Sequence, residues 1–273
     1  MKKIFLILFL LLVLVSCRKE EVLEPEYVEP DPKQEEKEQK EDKEKEPEII
    51  DDPVEPEPVI VNVSNTEDNM EVLRLYLDNY SKLPDFEINE SGSTTAKKLF
   101  ISYEQKTTSK TTKENNNYYY QCDTNSTFVN KHHEAIYEAD KVKYKNNDEE
   151  FIETTFVEYK KAYGISPKDY AIYGFIINEN TVLEITREQV DDLFVFVIKI
   201  DGEKAGTNCK IQMKEYGDLS KYPVFEEVSI TLKITNDFIP KEIIYEAKYK
   251  IDAAFLGEMV CSQKMISTYT YKD

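Results

Sequence analysis

The side chains best suited to chemistry are few. His132 and His133 stand side by side and are the only two histidines in the 273-residue chain, which excludes a three-histidine zinc site or an imidazole relay. Neighbours on a strand point to opposite faces, so both rings cannot ligate one metal without a bulge. They read as partly exposed strand histidines. A Ser-His-Asp site would have to recruit one of them, and no Gly-x-Ser-x-Gly elbow accompanies them. Asp191-Asp192 and Asp148-Glu149-Glu150 lack the Gly-punctuated spacing of a calcium loop and read as solvated turns. Lys plus Arg number 35 against 54 Asp plus Glu, a net charge of −19, and a surface that negative cannot release counterions from a phosphate backbone. The chain therefore reads as a non-enzyme without metal or cofactor, and not as a nucleic-acid binder.

The remaining reactive residues are four cysteines, and the first differs from the rest. Met1-Lys2-Lys3 is a short basic start and Ile4 to Val15 an unbroken apolar run, the pattern of a secretory signal. As a helix the run would reach only about 18 Å, short of the roughly 30 Å hydrocarbon core, so it is a poor permanent span. The closing Leu14-Val15-Ser16-Cys17 resembles the lipobox of bacterial lipoproteins, in which the Cys thiol receives a diacylglycerol before cleavage. That resemblance implies a signal peptide over 1–16, with Cys17 as the acylated first residue of the mature protein. Two acyl chains at roughly 0.8 kcal/mol per buried methylene would tether it to a bilayer without spanning it.

Residues 17–63 read as a tether. Arg18 to Pro58 holds seven of the eleven prolines and sets 7 basic against 18 acidic side chains, with few residues able to form a core. Burial that small cannot offset ordering entropy, so the segment is expected to be disordered. Its Glu-Pro repeats favour extended chain, and its negative charge would hold a domain away from an anionic surface.

From Ser64 to Asp273 the periodicities are those of an α+β domain. Met70, Leu73, Leu77 and Tyr80 fall at helical steps, with Ser64 and Glu67 at capping-box spacing and Pro84 marking the end. Strands are expected over Lys98–Thr108 and Asn117–Phe128, followed by a hairpin over Lys131–Lys145 that turns at Ala139-Asp140. Thr155 and Glu158 cap a helix over Phe156–Tyr163 that Gly164 ends, and Ser166-Pro167 opens another towards Ile177. Thr181–Arg187 and Leu193–Ile200 pair, the second apolar on both faces and therefore central. A helix over Glu203–Tyr216 puts Cys209, Met213 and Tyr216 on one stripe. Three long strands then alternate strictly through Val228-Ile230-Leu232, Tyr245-Ala247-Tyr249 and Met259-Cys261. Together these patterns predict a single curved antiparallel sheet, an open half-barrel, with short helices packed on its concave face.

The lipobox, the tether and this order of elements resemble lipoproteins with a half-barrel domain related to the LolA carrier and the mycobacterial LppX group. Tyr163-Gly164-Ile165-Ser166-Pro167, Gly174-Phe175-Ile176-Ile177-Asn178 and Gln212-Met213-Lys214-Glu215-Tyr216-Gly217 are similar to segments of such half-barrels. The resemblance covers roughly 64–273 and implies an apolar hollow that holds acyl chains under helical lids. The chain departs from the carrier itself in having its own anchor.

On this reading the ligand face is Val228, Ile230, Leu232, Tyr245, Ala247, Tyr249 and Met259, with Met213 and Tyr216 on a covering helix. The expected function is that of an envelope lipoprotein, fixed by its diacylglycerol to the extracytoplasmic side of a membrane and binding a lipid or other apolar ligand. The alternative is an interaction or structural module with a filled core that binds an envelope protein. The same residues are then plain core, and the 19 tyrosines fill it. Cys122, Cys209 and Cys261 form either one bridge, with Cys209 and Cys261 the expected pair, or three buried thiols.

Overall fold

The computed structural model describes residues 61–127, 130–169, 172–217, 219–253 and 257–272. The signal-like run, Cys17 and nearly all of the acidic segment lie outside the described residues. The folded part reaches back past Ser64, because Val63 is fully buried and its N–H donates to the carbonyl of Asn236.

Helix α1, Asn69–Tyr80, opens the order and buries Val72, Leu73, Tyr76 and Tyr80 on one stripe. Its cap is Asp68, whose carboxylate accepts from the N–H of Met70. The expected Ser64–Glu67 box does not form, because Ser64 donates instead to Asn62 and Asn236. Six strands follow: β1 Phe86–Lys98, β2 Ile101–Glu114, β3 Asn117–Ser126, β4 Asn130–Glu138, β5 Lys141–Asn146 and β6 Ile152–Thr155. Helix α2, Phe156–Tyr163, carries the expected Thr155–Glu158 capping box and ends at Gly164.

The helix expected from Ser166 towards Ile177 is a single 3-10 turn at Pro167–Asp169. Tyr173 and Gly174 adopt left-handed backbone (φ 49° and 72°), which no helix can continue through. After β7 Val182–Val190 and β8 Leu193–Ile200, the expected single helix is split into α3 Gly202–Ala205 and α4 Thr207–Gly217. The break is at Gly206, where a Cβ would stand 2.4 Å from the Gly202 carbonyl oxygen and 2.9 Å from the Phe225 ring. The absence of a side chain lets the helix pair sit on that ring. Strands β9 Val224–Ile234, β10 Pro240–Ala253 and β11 Gly257–Tyr271 complete the chain.

All eleven strands form one antiparallel sheet in the order β6-β5-β4-β3-β2-β1-β11-β10-β9-β8-β7. It consists of two meanders joined where the first strand pairs with the last. Its edges, β6 and β7, do not pair with each other, so the sheet is an open half-barrel. An antiparallel sheet this wide cannot stay flat under the right-handed twist of its strands. One face is wet and laced with cross-strand pairs such as Lys110–Glu87, Lys248–Glu227 and Lys264–Glu246. The other is buried beneath the helices. Strand β8 is next to the edge rather than central, and on its outer face Val197 remains 36% exposed.

Gly92 lies opposite Met265 in the β1–β11 pair. A Cβ there would meet the Lys264 carbonyl oxygen at 2.1 Å and the Met265 sulfur at 2.4 Å. Relieving that overlap requires the β1–β11 backbone to move. Gly92→Ala is expected to destabilise the domain by about 1–3 kcal/mol, read as a lowered urea midpoint at unchanged slope.

Candidate functional site

The hollow follows from the strand alternation. On β9, Val228, Ile230, Leu232 and Ile234 face inward, and a bulge between Lys248 and Tyr249 in the β9–β10 register turns Phe225 inward as well. Opposite them in register stand Ile243 with Leu232, Tyr245 with Ile230 and Ala247 with Val228. Strand β11 adds Met265 beside Tyr245 and Cys261 beside Tyr249, with Met259 beyond. The seven strand residues expected to line the ligand face thus share one surface, and each is no more than 5% exposed. Met213 packs half-buried against it from α4. Tyr216 lies on the same helix, but its side chain is outside the described residues.

What covers this surface follows from topology and from ring contacts together. Strands β6 and β7 are the two edges of the sheet yet consecutive in sequence, so residues 156–181 run from one rim to the other, and the contacts of Tyr173 and Phe175 put them across the hollow. This strap lays Tyr173 against Tyr245, with ring centroids 5.1 Å apart. It also sets Phe175 between Phe225 and Tyr245, both at 5.6 Å. The strap backbone is tied to α3 by the Ile176 N–H, which donates to the Ala205 carbonyl. Sequence periodicity missed the strap contacts because a left-handed Tyr173 followed by Gly174 has no repeating pattern. The positions could have been suspected only from the glycine.

A buried polar chain pins the strap at mid-sheet. The Ser267 hydroxyl donates to Glu90 Oε2 at 3.0 Å. Its single hydrogen is then used, so the Tyr173 phenol, 2.7 Å away, is the donor to Ser267 Oγ. Burial, with the Glu90 charge second, holds the Tyr173 phenol well above its ordinary pKa and keeps it a donor.

Towards β1, β2 and β3 the inner face becomes more polar. Thr94, Gln105, Thr107 and Gln263 are half-buried there. The Gln263 carbonyl oxygen is buried with no hydrogen-bond partner among the described residues. Lys113 points inward from β2 and donates to the carbonyls of Ser81 and Leu83, satisfying the C-terminal end of α1.

The paired histidines do lie on opposite faces. His132 bridges Asp123 (2.7 Å) and Glu134 (2.8 Å) on the outer face, and these hydrogen bonds raise its pKa. His133 is not partly exposed as expected but buried under α2. Its Nε2 lies 2.8 Å from the Tyr159 hydroxyl and its Nδ1 2.8 Å from Asn146 Oδ1. The amide oxygen can only accept, so Nδ1 carries the proton and Nε2 accepts from Tyr159 in the neutral ring. Burial lowers the His133 pKa to about 4.

Cys122, Cys209 and Cys261 are all free and buried, so the expected Cys209–Cys261 bridge is not formed. Cys209 faces the Tyr245 phenol from α4, whereas Cys261 is held in the sheet between Tyr249 and Ala96. Burial pushes each of the three thiols up to about 12. Among the described residues no group of three or more His, Cys, Asp or Glu side chains is placed to hold a metal ion. No described helix is long and apolar enough to cross a membrane.

No protein-family profile and no curated protein matches the sequence. Among solved structures the chain is similar to LprF from Mycobacterium bovis, at 11% identity over 74% of this chain and 90% of that one, with a TM-score of 0.32. It is similar to a LolA superfamily protein from Nitrosomonas europaea, at 11% identity over 73% and 93%, TM-score 0.25. An outer membrane lipoprotein-sorting protein domain from Vibrio parahaemolyticus aligns at 8% identity over 74% and 92%, TM-score 0.30. The open half-barrel is established by its own strand pairing.

Two outcomes follow from the buried groups. A histidine held neutral with a folded pKa near 4 against an unfolded 6.5 costs stability wherever the unfolded chain takes up the proton. Stability is therefore fully present above pH 6.5, falls as pH drops towards 4 and is insensitive to this group below that. The expected loss across the window is about 2–3 kcal/mol, absent in His133→Gln, as measured by urea midpoints from pH 7 to 4. The three thiols are expected to resist alkylation in the native protein at pH 8 and to react fully in denaturant, as counted by mass spectrometry.

Proposed function

We propose that this chain is a lipoprotein of the bacterial cell envelope, held to the extracytoplasmic face of a membrane through acylated Cys17. In its hollow it binds a lipid or another apolar ligand and catalyses no reaction. The basic start, apolar run and lipobox-like tetrapeptide support the anchor, and the acidic Pro-rich segment supports a spacer behind it. One observation carries the binding role: an apolar face closed by a strap that crosses it from rim to rim. The strap is seated by the Tyr173 and Phe175 rings and one hydroxyl chain. Lifting such a strap would uncover an acyl-sized apolar surface while leaving the sheet's backbone hydrogen bonds intact.

A second reading, a module with a filled core that contacts an envelope protein, is favoured by the near-complete burial of the seven face residues under the closed strap. The two are separated by native mass spectrometry of the full-length protein purified from membranes. The binding role predicts a lipid-sized adduct beyond the covalent diacylglycerol, and a raised exchange of that adduct in Tyr173→Ala. A folded protein that retains no adduct and takes up no labelled phospholipid, in either form, leaves only the filled-core reading. An N-terminal peptide from the same sample with unmodified Cys17 would refute the anchor.

A further inference from the structure

Acidic turns stand at both ends of the sheet. At the end where Val63 enters, the two-residue hairpins are Asn115-Asn116, Ala139-Asp140 and Asp191-Asp192, while at the other end β5 and β6 are joined through Asp148-Glu149-Glu150 and Glu258 lies near the start of β11. Each of the three hairpins holds its first residue at positive φ, a conformation in which Asn115 and Asp191 are tolerated. The turn Asn236-Asp237 stands at the same end. At the opposite end the β1–β2 hairpin turns on Leu99-Phe100, again with its first residue at positive φ (51°).

Leucine is a poor residue for that conformation, and both side chains project into solvent, Leu99 at 91% exposure and Phe100 fully. Val260, paired with Lys97 across β1–β11, adds 43% exposed apolar surface beside them. In a chain of net charge −19, the only charged residues between Glu90 and Glu104 are Lys97 and Lys98. The site itself is confined to Lys97, Lys98, Leu99, Phe100 and Val260.

From this we infer that the Leu99-Phe100 hairpin tip is a membrane-docking element that inserts its two apolar side chains into an anionic bilayer surface, with Lys97 and Lys98 at the headgroups. Apolar side chains backed by lysine form an interfacial signature. The inference deepens the proposed function, and rests on it only for the anchor that brings the domain to a membrane.

Chain length permits the orientation. The described residues begin at the end away from the tip, so docking of the tip asks the chain from Cys17 to be able to cover the height of the sheet, roughly 40 Å for a 13-residue β1. The residues from Cys17 to Val61 span up to about 150 Å when extended. The polar, half-buried inner positions Thr94, Gln105 and Gln263 lie on the tip side of the hollow, so a docked tip would face its less covered mouth to the bilayer.

The test uses the absence of tryptophan from the chain. Phe100→Trp in the full-length lipoprotein is bound to vesicles of phosphatidylcholine and phosphatidylglycerol with brominated acyl chains, and Val157→Trp, 72% exposed on α2, serves as the control. The expected result is a blue-shifted emission at position 100 that loses most of its intensity to bromine, while position 157 emits as if in water. Removing phosphatidylglycerol or substituting Lys97→Glu with Lys98→Glu weakens the quenching. Unquenched emission at position 100 overturns the proposal, as does equal quenching at both positions or a blue shift already present without vesicles, which would mark self-association. Flotation of the same samples reports the anchor separately: protein that fails to float yet is quenched at high lipid retains the tip and loses the anchor.

Discussion

The pairing of β1 with β11 is the contact on which the remaining architecture depends. Its register runs from Phe86↔Tyr271 to Lys97↔Val260 and joins the first strand to the last at the middle of the sheet. Without it there are two separate meanders of five and six strands, each with its own apolar face. With it the faces merge into one hollow, and the consecutive strands β6 and β7 are driven to opposite rims. Gly92, the only glycine in that pair apart from Gly257 at the start of β11, permits the close approach. Because the contact links the two ends of the domain, it closes a loop of nearly the whole folded chain, and that high contact order is a feature of slow-forming topologies.

The strap is a consequence of that arrangement. A connection from β6 to β7 has no route along an edge, so it either crosses the concave face or travels around the convex one. The convex face is studded with lysine–glutamate pairs, with only scattered apolar side chains such as Val197 and Val260 among them. The concave face offers Tyr245, Phe225 and Ile230. The strap therefore goes inside, and the hollow acquires two unlike halves. Over β8 to β11 it is lined by aliphatic and aromatic side chains. Over β1 to β4 Phe86, Ile88, Tyr118, Tyr120 and Tyr137 share the inner face with Glu90, Lys113 and His133, and those three polar groups are each tied to a named partner.

That division explains which parts were legible in the sequence. Strands β9 to β11 alternate strictly because their inner face is apolar and their outer face charged, so both their existence and the identity of their inward residues could be read from period two. Strand β1 escaped notice for the opposite reason. Its inward positions include Glu90, Gly92 and Thr94, which mimic a solvated segment. The inward face of β2, with Lys113, Thr111 and Thr107, is similarly polar. The apolar run of β8 suggested a central strand, but burial on one side and a half-covered Val197 on the other produce the same string of residues near an edge. Helix α2 was readable from its capping box, a local signal. The strap was not, because its conformation is imposed by the rings it meets rather than by neighbours in sequence.

The choice of tyrosine at the strap contacts bears on whether the hollow can open. With no tryptophan and 19 tyrosines, the chain seats its covering segments largely through rings that carry a hydroxyl: Tyr173 on Tyr245, Tyr159 and Tyr163 around His133, Tyr76 and Tyr80 near Tyr269. A leucine or phenylalanine seal loses its burial energy outright when lifted, at roughly 25 cal/mol per Å² of apolar surface. A tyrosine seal loses the same ring burial but regains hydration of a phenol that had at most one or two partners inside. Burial holds these phenols far above their ordinary pKa, so they stay neutral in both states and no charge is uncovered on opening. Tyrosine is not confined to the cover, since Tyr118, Tyr120, Tyr137, Tyr245, Tyr249 and Tyr269 line the sheet, and the strap also buries Phe175, Ile165 and Ile172 and packs Phe156 on Tyr137. The tyrosine contacts of the strap are therefore its less costly ones to expose, and its isoleucine and phenylalanine contacts set most of the cost of opening.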